Sequence, residues 1–150
     1  MTTTSEATVH ASAVLTGRHA VLVRGPAGSG KSRLVLSLLE CAQTGALRFV
    51  RLVGDDRVIL SASHGRLLVR PAESLSGKIE VRGLGIRRVA HEPVAVIGLV
   101  VDLAASDAGR LPEVSAETIE ISRIRLPRLA VAAGENALPA VLAKLGTAPI

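Results

Sequence analysis

One octapeptide constrains this sequence more than any other feature. Residues 25–32 match the pattern G-x-x-x-x-G-K-[ST] in full, after an apolar run at 19–23 and before a segment at 32–42 with helical apolar spacing. A strand, a glycine-rich turn and a helix in this order are typical of the phosphate-binding loop of nucleotide-binding α/β proteins. The residues predicted to hold the nucleotide are Gly25, Pro26, Ala27, Gly28, Ser29, Gly30, Lys31 and Ser32.

Lys31 and Ser32 have the most specific chemistry in this loop. The lysine of the pattern reaches the β- and γ-phosphates, and the serine hydroxyl is a Mg²⁺ ligand. The chain has 18 basic residues, of which only Lys31, Lys78 and Lys144 are lysines. A lysine therefore stands at the one position that requires a compact positive charge. The loop predicts nucleotide binding with Mg²⁺, but by itself it does not define the reaction.

The composition limits the class of partner. With 150 residues, 48% of them hydrophobic, the chain can bury the core of one domain. Phe49 is its single aromatic residue, which argues against stacking on single-stranded nucleic acid. The formal net charge is +5, but the arginines are dispersed and form no helix-length basic stripe. We therefore expect no nucleic-acid partner.

The terminal and apolar segments predict the location of the protein. Residues 1–6 lack the basic and apolar regions of a secretory signal, and the apolar stretch at 94–101 is too short to span a bilayer. We expect a cytoplasmic protein without a membrane partner. Residues 1–8 are predicted to be a flexible tail, and residues 9–150 a single domain.

The pattern outside the loop is dominated by strands. Strands are predicted at 11–15, 19–23, 49–53, 57–62, 66–70, 78–82, 94–103 and 118–124, with a helical turn at 71–76 and a short helix at 136–145. One firm helix, at 32–42, among many strands predicts an α/β fold with a mixed β-sheet and few helices.

Carboxylates follow two of the predicted strands. Asp55 and Asp56 come after the strand at 49–53, where one of them could accept a proton from a substrate hydroxyl beside Mg²⁺ and phosphate. Asp102 ends the strand at 94–103. In many nucleotide-hydrolysing enzymes an Asp in that position helps to hold Mg²⁺, but it is also compatible with a simple strand end at the surface.

Three motifs in this order resemble the catalytic domain of the HPr kinase/phosphorylase family. They are Gly-Pro-Ala-Gly-Ser-Gly-Lys-Ser at 25–32, Leu-Val-Gly-Asp-Asp-Arg-Val at 52–58 and Ile-Glu-Val-Arg-Gly-Leu-Gly-Ile at 79–86. The last is close to the family's signature sequence. These bacterial enzymes phosphorylate a serine of HPr, a carrier protein of the phosphotransferase system, and can reverse the reaction by phosphorolysis. The resemblance spans residues 8–138 and is to the short forms, which lack a separate N-terminal domain.

The resemblance implies ATP and Mg²⁺ as cofactors and an HPr-like carrier protein as partner. It also implies that residues 9–150 are a single P-loop kinase domain. Lys31 and the loop backbone would hold the phosphates of ATP, and Ser32 and Glu80 would be Mg²⁺ ligands.

The same resemblance implies four further catalytic residues. Asp55 would be the general base in the kinase direction and the general acid in reverse. Asp56 and His10 would orient or tune Asp55, and Arg82 would support the signature loop.

The chain departs from the family pattern near its C-terminus. The segment at 126–136 resembles a loop that usually contains arginine, but Ala132 and Glu135 stand where arginine is expected. An arginine there would stabilise the transferring phosphate. Because it is replaced here, the resemblance does not imply that this chain also catalyses phosphorolysis. A nucleotide-binding regulatory module without significant catalysis, and a small-molecule kinase, remain alternatives. The C-terminal helix is short, so the resemblance leaves open whether the chain is a homo-oligomer.

Overall fold

The computed structural model describes residues 7–147, which form eleven β-strands and two α-helices. The helices are α1 (Lys31–Thr44) and α2 (Leu138–Gly146). The strands are β1 (Thr8–Val9), β2 (Ala11–Thr16), β3 (His19–Arg24), β4 (Val50–Gly54), β5 (Val58–Ser63), β6 (Arg66–Pro71), β7 (Lys78–Val81), β8 (Gly85–Arg88), β9 (Ala95–Leu103), β10 (Thr118–Ile121) and β11 (Ile124–Val131).

Nine of the strands form one mixed, curled sheet. Its main path is β1-β5-β6-β9-β3-β2-β4, and β11 pairs with the second half of β9 and carries β10 at its outer side. Strands β3, β9 and β11 are parallel, whereas the remaining pairs are antiparallel. Strands β7 and β8 form a separate two-stranded hairpin.

Both faces of the sheet are covered, as the continuous apolar run of β3 predicts. Val21 and Val23 point towards α1 and its core cluster, while Ala20 and Leu22 belong to a second cluster on the opposite face. Helix α1 contributes the buried residues Leu34, Val35 and Leu38 to the first cluster. The helix ends at Gly45, whose φ of 81° is the left-handed conformation that favours glycine.

The predicted α/β class, mixed sheet and small number of helices are confirmed. Helix α1 extends the segment predicted at 32–42 by one residue at its start and two at its end. The short turn predicted within 71–76 is a 3₁₀ helix at Glu73–Leu75. No helix between residues 7 and 147 is long and apolar enough to cross a membrane.

Two predictions about the C-terminal third are wrong. Residues 118–124 are not one strand, because Ser122 (φ 51°) and Arg123 (φ 66°) form the turn of the β10–β11 hairpin. Left-handed conformations at both turn positions match the twist of a hairpin. In most sequences glycine or asparagine occupies such positions and makes the turn recognisable. The segment compared with a loop at 126–136 is a strand as far as Val131, since β9 offers it a parallel partner.

Two shorter strands were not predicted. Residues 82–84, with a left-handed glycine at 83, form the turn of a hairpin, and residues 85–88 return as β8. Thr8, assigned to the predicted tail, pairs with Ile59 in β1. Residues 1–6 of that tail, and residues 148–150 of the predicted domain, lie outside the described residues.

Candidate functional site

Three chain segments with candidate residues meet at one edge of the sheet. Strand β4 is antiparallel to β2, which is antiparallel to β3, so β4 runs in the same direction as β3, β9 and β11. The carboxyl ends of these strands therefore lie at a common edge, where α/β sheets usually bind ligands. Residues 25–30, Asp55 and the segments after β9 and β11 all follow these ends.

Residues 25–30, which we call the glycine loop, connect β3 to α1. Gly28 (φ 80°) and Gly30 (φ 100°) adopt left-handed conformations, which explains why glycine is required there. Helix α1 starts directly after the loop, and the Leu34 N–H donates to the Gly30 carbonyl at 3.0 Å. The loop thus lies at the positive end of the helix, an arrangement that favours anions.

The side chains of Lys31 and Ser29 have hydrogen-bond donors at the glycine loop that are not used within residues 7–147. The Lys31 ammonium is almost buried and donates to the carbonyls of Gly25 at 2.8 Å and Pro26 at 3.3 Å. An ammonium has three N–H groups, so one donor remains. The Ser29 hydroxyl is buried and has no partner in the described part of the chain. A buried hydroxyl without a partner is costly, so this loop is suited to a ligand that supplies an acceptor oxygen.

Asp55 is the centre of a polar cluster beside the loop. Its side chain is buried, and Ser32 Oγ lies 2.9 Å and 3.2 Å from its two carboxylate oxygens. Ser12 Oγ donates to Oδ1 at 2.8 Å, and the Glu80 N–H approaches Oδ2 at 3.5 Å. Asp55 therefore has a fixed orientation towards the first turn of α1, next to the serine predicted to bind Mg²⁺.

Ser12 is a residue of this cluster that the sequence analysis missed. It is completely buried in β2, and its Oγ also accepts a hydrogen bond from the Asp56 N–H at 3.0 Å. The one available signal is a small polar residue inside the apolar stretch at 11–15. Its partner lies 43 positions along the chain, and only the pairing of β2 with β4 brings the two together.

Asp56 and His10 lie together at the surface beside Asp55. His10 Nε2 is 3.4 Å from Asp56 Oδ1, and about half of each side chain is exposed. Asp56 has a φ of 68°, a left-handed conformation in which aspartate is more common than most residues. The recorded side-chain contacts of the Asp55 carboxylate are with Ser12 and Ser32 rather than with this pair.

The β7–β8 hairpin supplies Glu80 and Arg82. The Glu80 backbone reaches Asp55, while its side chain is exposed opposite Ile86. Arg82 lies exposed in the hairpin turn, and its guanidinium has no polar partner among residues 7–147. Ile79 is buried in the core cluster under α1 and anchors the hairpin beside the site.

The oxygen donors of the cluster suit Mg²⁺. Ser32 and Asp55 offer a hydroxyl and a carboxylate in contact with each other, and Glu80, whose backbone N–H approaches Asp55, offers a second carboxylate from the β7–β8 hairpin. No group of three or more His, Cys, Asp or Glu side chains in the described chain could hold a metal. Mg²⁺ commonly uses one or two carboxylates together with substrate phosphates, so these residues fit the ion as part of a nucleotide complex.

Asp102 has a structural role at the same edge. Arg24 donates to its two carboxylate oxygens at 2.7 and 2.8 Å, and Arg128 donates to Oδ2 at 2.6 Å. Arg128 also forms two hydrogen bonds with Asp107, at 2.8 and 3.1 Å. Burial favours a higher pKa for Asp102, but the hydrogen bonds and charges of the two arginines outweigh it and lower the pKa. The sequence left open whether Asp102 helps to hold Mg²⁺ or simply ends a strand at the surface. In the structure its carboxylate forms ion pairs that connect the parallel strands β3, β9 and β11.

The fold and the site define an α/β domain with a glycine loop and an acidic pair at one edge of a mixed sheet. The same architecture occurs in a solved structure, that of the HPr(Ser) kinase/phosphatase from Coxiella burnetii. The two structures superpose with a TM-score of 0.73 and 23% sequence identity, covering 93% of this chain and 88% of the other. This likeness confirms the predicted resemblance at the level of the fold.

Sequence comparison finds relatives with the same family name, but these matches cover a shorter region of the chain than the structural superposition does. The chain is 36% identical over 66 residues to an HPr kinase/phosphorylase of Mycoplasma mycoides. It is 39% identical over 66 residues to those of Clostridium tetani and Clostridium beijerinckii. Each match covers 44% of this chain and about a fifth of the relative's own length. No protein-family model matches the chain. The resemblance to HPr kinase/phosphorylases is thus confirmed for part of the sequence and for the fold.

Proposed function

We propose that this protein is an ATP- and Mg²⁺-dependent kinase that phosphorylates a serine of an HPr-like carrier protein. The observation that carries the proposal is the contact between Asp55 and Ser32, at 2.9 and 3.2 Å. It places a carboxylate that can accept a proton next to the hydroxyl at the end of the predicted phosphate-binding sequence. The relatives with this fold bear the name of the same enzyme family.

Asp55, Lys31 and the glycine loop have separate roles in the reaction. Asp55 accepts the proton of the carrier's seryl hydroxyl as the seryl oxygen forms a bond to the γ-phosphorus of ATP. The bond from that phosphorus to the bridging oxygen breaks, and ADP leaves. Lys31 and the N–H groups of the glycine loop stabilise the charge on the transferring group.

Four residues position these groups rather than react. Ser12 and Ser32 hold the Asp55 carboxylate through hydrogen bonds, so it does not have to be ordered when the substrate arrives. When bound, Mg²⁺ supplies positive charge to the phosphates, and Ser32 and Glu80 are the residues that would hold it. The unpartnered Ser29 hydroxyl would donate to a phosphate oxygen.

A transfer assay tests this proposal. The protein is incubated with γ-labelled ATP, Mg²⁺ and the HPr-like carrier of the same organism, and label on the carrier is measured. Asp55→Asn should reduce transfer by at least about 10²-fold, because the proton acceptor is lost. Asp107→Asn is the matched control, since Asp107 is an exposed partner of Arg128 at the same sheet edge. No label on the carrier, or equal labelling by both variants, would refute the kinase.

One observation favours a second candidate, a nucleotide-binding regulatory module without significant catalysis. The loop after β11, residues 132–137, has no basic residue, and the neighbouring Arg24 and Arg128 are engaged by Asp102. A kinase of this kind gains from an arginine near the transferring phosphate. Tight ATP binding without carrier labelling, in both the wild type and Asp55→Asn, would support this candidate.

A further inference from the structure

The β7–β8 hairpin presents an apolar and basic surface next to the site. Ile86 and Arg88 lie on one face of β8 and Arg87 on the other, so we call Leu84, Ile86 and Arg88 the hairpin surface. Leu84 is 64% exposed and Ile86 is 70% exposed, although both belong to a hydrogen-bonded hairpin with a buried anchor at Ile79. Adjacent exposed aliphatic side chains on an ordered element are typical of an interaction surface.

The charge of the hairpin indicates the chemistry of its partner. Arg87 and Arg88 are exposed, and their guanidinium groups make no hydrogen bond or ion pair within residues 7–147. Glu80 is the one acidic residue between positions 78 and 88. The free guanidinium group of Arg88 beside two exposed aliphatic side chains complements a protein surface with an apolar patch and an acidic rim.

The position of the hairpin connects this surface to the chemistry. Glu80 lies directly opposite Ile86 in the hairpin, so their Cα atoms are about 5 Å apart. The Glu80 N–H in turn approaches Asp55 Oδ2 at 3.5 Å. A protein bound to Ile86 and Leu84 would therefore lie beside the segment that contacts the Asp55 cluster.

We infer that the hairpin surface docks the protein substrate through an apolar patch edged by acidic side chains. This inference rests on the proposed function, because it identifies how the carrier reaches Asp55. The aliphatic pair supplies contact area, while Arg88 selects an acidic partner and orients it. In this arrangement the exposed side chains of the hairpin recognise the protein substrate, whereas the buried Asp55 cluster carries out the reaction.

Steady-state kinetics with the HPr-like carrier test the docking surface. Leu84→Ser/Ile86→Ser should raise the KM for the carrier at least about tenfold, because two aliphatic contacts are lost. Arg88→Glu should raise it by a similar factor, and the effect should weaken as salt is added. The kcat and the KM for ATP should stay unchanged in both, since neither variant alters the Asp55 cluster. The matched controls are Leu111→Ser, at a site 84% exposed, and Arg110→Glu, both outside the hairpin.

Direct binding of the labelled carrier, without ATP, separates this inference from the proposed function. If the wild type phosphorylates the carrier and the hairpin variants keep its KM, docking at the hairpin is refuted and the kinase stands. If the wild type binds the carrier through the hairpin but transfers no phosphate, the kinase is refuted and docking stands. Absence of both binding and transfer refutes both. Hairpin variants that reduce the sedimenting mass of the protein but not carrier binding would instead assign the surface to a second copy of the chain.

Discussion

Replacing Ser12 by alanine removes one oxygen atom from the centre of the polar cluster. Ser12 is completely buried, donates to Asp55 Oδ1 at 2.8 Å and accepts from the Asp56 N–H at 3.0 Å. A hydrogen bond to a charged group contributes about 1.5–3 kcal/mol to stability. We therefore expect Ser12→Ala to lower the free energy of unfolding by about 1–3 kcal/mol, since the Asp56 N–H also loses its acceptor.

The same loss should appear in catalysis. If all of that hydrogen-bond energy serves to orient Asp55, kcat for carrier phosphorylation falls by roughly 10- to 150-fold. ATP affinity should change much less, because within residues 7–147 the Ser12 hydroxyl forms hydrogen bonds with Asp55 and Asp56 and not with the glycine loop. Transfer to the carrier and equilibrium binding of ATP are the two measurements.

Ser12→Thr and Ser12→Val form a matched pair of controls. Both add a methyl group at a buried position and incur the same overpacking cost, but only threonine retains a hydroxyl. Threonine should therefore recover most of the kcat that valine loses. Equal kcat values for the two would show that the hydroxyl does not act on Asp55.

A double-mutant cycle measures the coupling itself. Urea unfolding of the wild type, Ser12→Ala, Asp55→Ala and the double variant should give an interaction free energy of about 1–3 kcal/mol between Ser12 and Asp55. This readout does not depend on the reaction that the protein catalyses. An interaction free energy below about 0.5 kcal/mol would refute the reasoning, because residues that do not contact each other usually give such values.

Three further variants test other parts of the structure. Arg128→Ala should destabilise the fold by about 1–3 kcal/mol at pH 7, because Asp102 loses the hydrogen bond and charge of one of its two arginine partners. The folded-state pKa of Asp102 is lowered, so its stabilisation is present above the ordinary value of 3.8 and is lost as pH falls through the folded-state pKa. The unfolding free energy of Arg128→Ala should therefore depend less on pH in the acid range, and slopes equal to those of the wild type would contradict this. Leu38→Ala, at a fully buried position in α1, should cost about 2–5 kcal/mol in urea unfolding, and a loss below 1 kcal/mol would contradict the packing. Lys31→Ala should weaken ATP binding at least about tenfold in calorimetry, whereas Lys78→Ala, the control, should not.

The local parts of the fold and site could be predicted from the sequence. The glycine loop and α1 follow from one octapeptide and from 3.6-residue spacing, because both depend on contacts between near neighbours. Gly45 marks the helix end for the same reason.

The parts that depend on distant pairing could not be predicted. Arg24 and Asp102 are 78 positions apart, so nothing near Asp102 distinguishes an ion-paired residue from a metal ligand. Ser12 resembles any small strand residue until β4 is placed beside β2. The turn at Ser122 and Arg123 was missed because neither residue is one that commonly adopts a left-handed conformation.

The junction of Arg24, Asp102 and Arg128 has a consequence for the order of folding. It joins β3, β9 and β11 at the base of the glycine loop, and its members are spread over more than a hundred positions of the chain. Contacts between such distant residues form late and slow the folding reaction. The glycine loop is synthesised before β11, so the ion-paired junction at its base is incomplete until Arg128 has been added. We therefore expect truncated chains that end before β11 to bind ATP more weakly than residues 1–150 do.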